Sequence, residues 1–415
     1  MPTSAQAPAV PRLTYLRIKN YRALRDVEFR ELTPLTVLIG PNGSGKSTVL
    51  DALDFLAEAV RGNLVAAWEK RDRFRGMRTR GEDGIIEFEI EVFISVEVPR
   101  LRYKLGVDEA AGQLFISDES IIEPGAELER IIELVDAEPS PHWSDNVFRI
   151  NIYERDGNPG RHYTNPSSDP IIYSTFAFSR QREAQAPKTV ALANAIASYR
   201  LFHLTDDHLK GYSDAGPREK LSPNGDNLPN VLYYLHIKHP EVLARIADKL
   251  RAWVPGLAEV LPEITSDERL LLRFKDAPFE KPLPAQYMSG GTMRLAALLT
   301  LLYEPNATGL LGIEEPENEL HPQLLGRLAE ELIKATETRQ LLVATHSPAI
   351  LNALEPAQVW ILHRGADGYT QATRVADLPG IPEMVEEGSP LGYLWTRNFF
   401  EVGNPLAAPN ATEGR

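Results

Sequence analysis

The stretch LTVLIGPNGSGKSTVLDALDFL, Leu35 to Leu56, constrains the fold more than any other part of the chain. Its first five residues read as a short buried strand that ends where the glycines begin. From Ser47 onward Val49, Leu50, Leu53, Leu56 and Val60 follow helical spacing, with Gly62 as a plausible stop. Gly40, Gly45, Lys46 and Ser47 complete the pattern Gly-x4-Gly-Lys-Ser between that strand and that helix, which is where a phosphate-binding loop works. Asn42, Gly43, Ser44 and Gly45 form the turn, whose N–H groups converge on a phosphate beside the positive end of the helix dipole. In such a loop Lys46 bridges the β- and γ-phosphates, Ser47 ligates Mg²⁺ and Thr48 supports the α-phosphate.

The rest of the chain supplies a core for this loop. A length of 415 residues allows two or three compact domains, and 43% hydrophobic residues are enough to bury a core. RLTYLRIKNYRALRDVEFR alternates around a turn and predicts two antiparallel strands. GIIEFEIEVFISVEV, RLRYKLGVD and GQLFISDESII predict a meander. From Glu123 to Pro170 Pro, Gly, Asp and Asn predict irregular chain with one hairpin at FRINIYERDGNPGRHY. Helical patterns resume at KTVALANAIASYRLF and PNVLYYLHIKHPEVLARIADKLRAW. After Pro278 a helix from Ser289 to Tyr303, the strand LLGI, the helix PQLLGRLAEELIKATE and the strands QLLVATHS and QVWILHR alternate as a parallel α/β unit does. There is no cysteine, no signal-peptide pattern in MPTSAQAPAVP and no run approaching the roughly 18 apolar residues of a membrane span, so a cytoplasmic protein without a membrane partner is expected. A net charge of −14 opposes indiscriminate binding of polyanions, but Lys70, Arg71, Arg73, Arg75, Arg78 and Arg80 form a local basic run against one acid, Asp72. Read from sequence, that run is either a solvated loop or helix end, or a contact for DNA or an acidic partner.

Three further groups carry chemistry. Glu314 and Glu315 close an apolar strand, and buried acids need a partner. A cation held by Ser47 calls for one carboxylate, assigned to Glu314, and an attacking water calls for a second, assigned to Glu315. His346 ends the following strand and is placed at the γ-phosphate. Ser289 caps a helix whose first residues, Gly290 and Gly291, bare their amides as a second anion site.

In this order, the phosphate loop, Ser289-Gly290-Gly291, Glu314-Glu315 and His346 resemble the motifs of ABC-type ATPase heads. IKNYRAL, Ile18 to Leu24, is similar to the opening of the RecF/SMC-like branch, and EEPENELHP with THSP resembles predicted AAA-type ATPases associated with OLD-family and anti-phage systems. The resemblance implies an α/β fold, an ABC-ATPase head with a parallel P-loop sheet, an N-terminal antiparallel β subdomain and a helical and irregular insertion. It implies boundaries at 12–120 for the first part of the head with Walker A, 121–284 for the insertion and helical subdomain, and 285–404 for the second part with signature, Walker B and switch histidine. It also implies ATP and Mg²⁺, Lys46, Glu315 and His346 in hydrolysis, Asn20 and Arg22 near the nucleotide, a metal-contacting glutamine for which Gln181 is the candidate, and Asn318 to His321 in the place of a D-loop. Two departures stand out: Glu314 replaces the usual aspartate, and Thr292 replaces the glutamine that usually closes the signature.

One cradle and one signature per chain are economically explained by a two-fold homodimer with two shared ATP sites, alone or within a larger assembly. The first functional expectation is an ATP-hydrolysing sensor or switch in anti-phage defence or DNA maintenance. OLD-type nucleases append a metal-binding Toprim domain, and the chain after His346 has no spaced acidic cluster, so the expected nuclease or toxin is a separate effector protein. The alternative is a slow or non-hydrolysing ATP-bound scaffold that restrains such a partner. The opening motif and the signature disfavour a transporter.

Overall fold

The computed structural model describes residues 10–95, 100–110, 112–122, 131–135, 148–153, 163–165, 187–211, 213–214, 216–264 and 269–404. A six-stranded sheet organises them. Across it run Arg200–Phe202, Leu310–Glu314, Gln340–Ala344, Leu35–Ile39 and Val359–Arg364, all parallel, closed at one edge by the antiparallel Thr370–Arg374. The central strands are buried and largely apolar because both faces of the sheet are covered there. Alternate residues enter different cores: Leu35, Val37, Ile313 and Val343 face one, and Leu38, Leu342, Ala344 and Trp360 face the other.

The second of these cores lies between the parallel sheet and an eight-stranded antiparallel sheet. The latter runs Leu24–Phe29, Arg12–Tyr21, Ile86–Phe93, Leu101–Ala110, Gln113–Ile122, Ile131–Val135, Phe148–Tyr153 and Tyr163–Asn165. The N-terminal pair, the meander and the hairpin at 148–165 thus form as their alternation predicts. The helix Lys46–Glu58 fills the space between the sheets with Val49, Leu50, Leu53 and Leu56. Near the expected stop the chain passes through a wide π turn, Ala59–Asn63, where Gly62 adopts φ 90°, and resumes as Leu64–Lys70.

Helices cover the opposite face of the parallel sheet. Gly290–Leu302 is buried along nearly its whole length, and Leu325–Ala335, Leu228–Lys238 and Pro240–Trp253 pack into the same core. A hairpin of Leu257–Ile264 and Arg269–Asp276, which the sequence reading did not place, completes this side. One helical expectation is corrected. The pattern over 188–202 is a helix up to Ala197, after which Arg200–Phe202 turns into the edge strand paired with Leu311–Ile313. Local spacing continued the helix, but pairing with an apolar neighbour and the fully buried Tyr199, whose hydroxyl donates to Leu50 O at 3.0 Å, override it. No helix among the described residues is long and apolar enough to cross a membrane.

Candidate functional site

The glycine-rich loop leaves the strand Leu35–Ile39 in conformations that side chains disfavour. Gly40 adopts φ 143° and Gly45 φ 103°, and a Cβ on Gly40 would stand 1.9 Å from the carbonyl oxygen of Leu362. The loop rests on the hairpin formed by the last two strands. Arg364 Nε donates to Gly43 O at 2.9 Å, and Thr370 Oγ1 donates to Ser44 O at 2.9 Å. Ser44 Oγ is buried with no hydrogen-bond partner among the described residues. Ser47 is exposed at the mouth of the helix and Thr48 half-buried behind it, while Asn42 stands at the open lip of the loop.

Lys46 is buried and folds back over the loop, its Nζ donating to Gly40 O at 2.9 Å and Pro41 O at 3.0 Å. Burial lowers its pKa from 10.5 to about 8, against the opposing charges of Glu315 and Glu317. Those two acids leave the tip of the strand Leu310–Glu314. His346 leaves the adjacent tip, after Gln340–Ala344, and its Nε2 lies 3.8 Å from Glu315 Oε1. Burial, then the Lys46 charge, pushes the imidazole pKa down, while Glu315 and Glu317 oppose the shift. Lys46, Glu315 and His346, singled out from sequence, therefore share one electrostatic environment, made by three parallel strands ending side by side.

Glu315 is held in an unusual backbone conformation, φ 42°. Its N–H donates to Ala344 O at 2.7 Å, and its Oε2 accepts from Asn318 Nδ2 at 2.6 Å. Glu314 turns the other way, with Oε2 2.9 Å from Nδ1 of His203. His203 is the first residue after the edge strand Arg200–Phe202, and nothing local in the sequence marks it out. Ser289 caps its helix as expected, its Oγ accepting from the N–H of Thr292 at 3.2 Å. Gly290 and Gly291 are required there by the turn after Glu315: a Cβ on Gly290 would lie 2.0 Å from Glu319 Oε2, and one on Gly291 2.4 Å from Glu319 O. Among the described residues no hydrogen bond or ion pair links Ser289, Gly290 or Gly291 to the phosphate loop of the same chain.

Residues 35–352 match the family described as "AAA domain, putative AbiEii toxin, Type IV TA system". The chain belongs to this AAA family. A stretch of 44 residues is 48% identical to the OLD nuclease of Thermus scotoductus (strain ATCC 700910 / SA-01), covering 11% of this chain and 8% of that protein. The chain therefore spans a small part of that relative's length. The fold is that of an SMC head. The crystal structure of the SmcHead bound to the C-winged helix domain of ScpA superposes with TM-score 0.51 at 14% identity, covering 87% of this chain and 97% of that one. The SMC head domain from Thermotoga maritima aligns over 88% of this chain and 98% of its own at 16% identity, with TM-score 0.43.

The remaining sequence candidates take different places in this AAA domain. The Asn20 side chain is buried and knits the edge of the antiparallel sheet, donating to Gly84 O at 3.0 Å and accepting from the N–H of Thr79 at 3.2 Å. Arg22 reaches the phosphate-loop helix one turn beyond Ser47, pairing with Asp51 at 2.9 Å. Gln181 lies outside the described residues. The basic run is not a free patch. Arg71 is buried among Asp51, Asp54 and Glu58 at 3.0, 2.9 and 2.5 Å, Lys70 pairs with Glu58, Arg73 with Glu69 and Arg78 with Asp108. Arg75 and Arg80 remain exposed.

Proposed function

We propose that two copies of this AAA domain close around two ATP molecules, each held by Gly40 to Thr48 of one copy and by Ser289 to Gly291 of the other, and that hydrolysis reopens the pair. The carrying observation is the convergence of Lys46, Glu315 and His346 at three neighbouring strand tips, while among the described residues no hydrogen bond or ion pair joins Ser289, Gly290 or Gly291 to the phosphate loop of the same chain. The orphaned Ser44 hydroxyl and the folded-back Lys46 fit a phosphate that takes over the loop's polar groups. Ser47 Oγ and the Glu314 carboxylate are hard oxygen donors suited to Mg²⁺. The described residues form no group of three or more His, Cys, Asp or Glu that would cage a metal, which fits an ion completed by phosphate and water. Bound there, the ion would neutralise charge on the phosphates.

In hydrolysis a water oxygen adds to the γ-phosphorus, its proton passes to Glu315, and the bond to the β-phosphate oxygen breaks to leave ADP and phosphate. Lys46 stabilises the charge that builds on the leaving side, and His346 contacts the γ-phosphate. The switch so formed would license a separate effector in defence or DNA maintenance; a nuclease partner draws support from the OLD nuclease match, and a docked protein from the ScpA-bound SMC head. The engagement of Glu314 by His203 favours a second reading, a slow ATP-held scaffold. Steady-state hydrolysis and sedimentation with and without ATP, using Glu315→Gln as the blank, separate these. Turnover abolished in the variant, with an ATP-dependent dimer, supports the switch; a dimer without turnover supports the scaffold; no ATP-dependent dimer refutes both.

A further inference from the structure

The carboxylate of Glu317 bridges the tips of the strands that carry Glu315 and His346. The strands Leu310–Glu314 and Gln340–Ala344 pair in parallel up to Glu314 and Ala344, and the N–H of Glu315 adds one more rung to Ala344 O at 2.7 Å. Beyond that point the backbones diverge, because Glu315 at φ 42° and the turn closed by Asn318 N to Glu315 O at 3.1 Å and Leu320 N to Glu317 O at 3.0 Å carry one chain away. The pairing is nevertheless continued by a side chain. Glu317 Oε1 accepts the backbone N–H of His346 at 2.7 Å. This bond holds the peptide that carries the imidazole, and so sets how His346 Nε2 approaches Glu315 Oε1.

The other oxygen behaves differently. Glu317 Oε2 is buried and has no hydrogen-bond partner among the described residues. An acceptor left in that state costs free energy unless a ligand or water takes it up. Its surroundings are those of the nucleotide site: the charge of Glu317 acts on the Lys46 ammonium, on His346 and on Arg294. A surface acid that merely solubilised the turn would keep both oxygens in water.

We propose that Glu317 is a positioning residue of the hydrolytic site, pinning His346 through Oε1 and presenting Oε2 as a fixed acceptor for the attacking water. This rests on the ATPase reading above. The water donates one hydrogen bond to Glu315, which takes its proton, and the other to Glu317 Oε2, which stays an acceptor throughout. Two acceptors fix the orientation of the water, where one would leave it free to rotate.

The test compares the full-length chain with Glu317→Ala and Glu317→Gln by two readouts. In amide hydrogen exchange without nucleotide, Glu317→Ala speeds exchange at His346 about 10-fold or more, while Glu317→Gln, which keeps an acceptor carbonyl, stays within about 3-fold. In steady-state hydrolysis both variants lose about 30-fold or more in kcat with KM for ATP within about 3-fold, because the glutamine cannot keep both oxygens as acceptors. Unchanged exchange in Glu317→Ala overturns the pinning, and kcat of Glu317→Gln within about 3-fold of the parent overturns the second acceptor. If the parent protein shows no turnover that Glu315→Gln abolishes, the second acceptor falls together with the ATPase reading, and the exchange measurement still decides the pinning. Glu317→Gln is isosteric, so the kinetic test holds even if the alanine variant unfolds.

Discussion

Arg294 Nη2 donates to the main-chain carbonyl of Glu315 at 2.6 Å, joining the helix that begins at Ser289 to the residue proposed to activate water. The same guanidinium donates through Nη1 to Leu204 O, just beyond His203, and is itself buried. One side chain thus ties together the helix start that would receive the partner's nucleotide, the segment that touches Glu314, and the turn after Glu315. Burial lowers its pKa while Glu319, Glu317 and Glu315 oppose the shift. Closure of a dimer on the Ser289 helix would bear on Glu315 through this connection and through Glu319, which packs against Gly290 and Gly291.

Replacing Arg294 by Lys should uncouple the two sites. A lysine cannot reach both carbonyls with the fixed fork of a guanidinium. We expect a loss of about 2 kcal/mol in stability, from leaving one buried carbonyl without a donor. We also expect kcat to fall about 10-fold with ATP affinity within about 3-fold of the parent, because Arg294 touches the turn and not the phosphate loop. Denaturant unfolding and titration with a fluorescent ATP analogue measure the two parts.

The two signature glycines should respond unequally to alanine. At Gly291 the new methyl would meet the backbone oxygen of Glu319 at 2.4 Å, whereas at Gly290 it meets the Glu319 carboxylate, which can swing aside. Gly291→Ala is therefore expected to cost about 1–3 kcal/mol in unfolding free energy and Gly290→Ala less than about 1. Both should weaken the proposed ATP-dependent dimer, as sedimentation in a Glu315→Gln background would measure it. Equal stability losses would show that the turn after Glu315 yields as a unit.

The parts of this site legible in the sequence are those whose chemistry is local. Gly40 to Ser47 announce themselves because the turn, the lysine and the helix start are contiguous, and the Ser289 cap because its acceptor and donor are three residues apart. Glu314 and Glu315 stood out as charges ending an apolar strand. Arg294, His203, Arg364 and Glu317 could not be found that way. Each acts through a partner distant in sequence, Arg294 on Leu204 and Glu315, Arg364 on Gly43, Glu317 on His346, and their neighbours carry no spacing that implies it. The parallel sheet was legible from its alternating helices and apolar strands. The edge strand Arg200–Phe202 was not, since its three residues continue a helical pattern and become a strand only beside Leu311–Ile313.

Lys46 gives the nucleotide-free protein a pH signature. Its pKa is lowered from 10.5 to about 8 by burial, so below pH 8 the fold holds a buried charge that the unfolded chain exposes to water. Between about 8 and 10.5 the unfolded chain binds more protons than the folded one, and stability rises with pH. Relative to Lys46→Met, which lacks the group, the parent should gain up to about 3 kcal/mol across that window. Urea unfolding of both proteins at pH 7 and pH 10 tests this, and parallel pH dependences would show that the ammonium is better solvated than its surroundings imply.

The basic run should prove to be structural at Arg71 and weakly available elsewhere. Removing the Arg71 guanidinium leaves Asp51, Asp54 and Glu58 crowded without their central cation, and Arg71→Ala is expected to cost about 3–5 kcal/mol. Asp51 also holds Arg22 and accepts from the Tyr21 hydroxyl at 2.5 Å, so the damage should spread to the junction between the antiparallel sheet and the phosphate-loop helix. Arg75→Ala with Arg80→Ala removes the run's two exposed cations that have no ion pair among the described residues and should change stability by less than about 0.5 kcal/mol. If the segment does not touch DNA, duplex affinity at physiological salt should stay within about 3-fold of the parent and the slope of log affinity against log salt should not change, whereas two lost phosphate contacts would change that slope by about 2. Fluorescence anisotropy over a salt series measures that slope, and a drop of 2 with a large loss of affinity would restore this segment as a DNA contact.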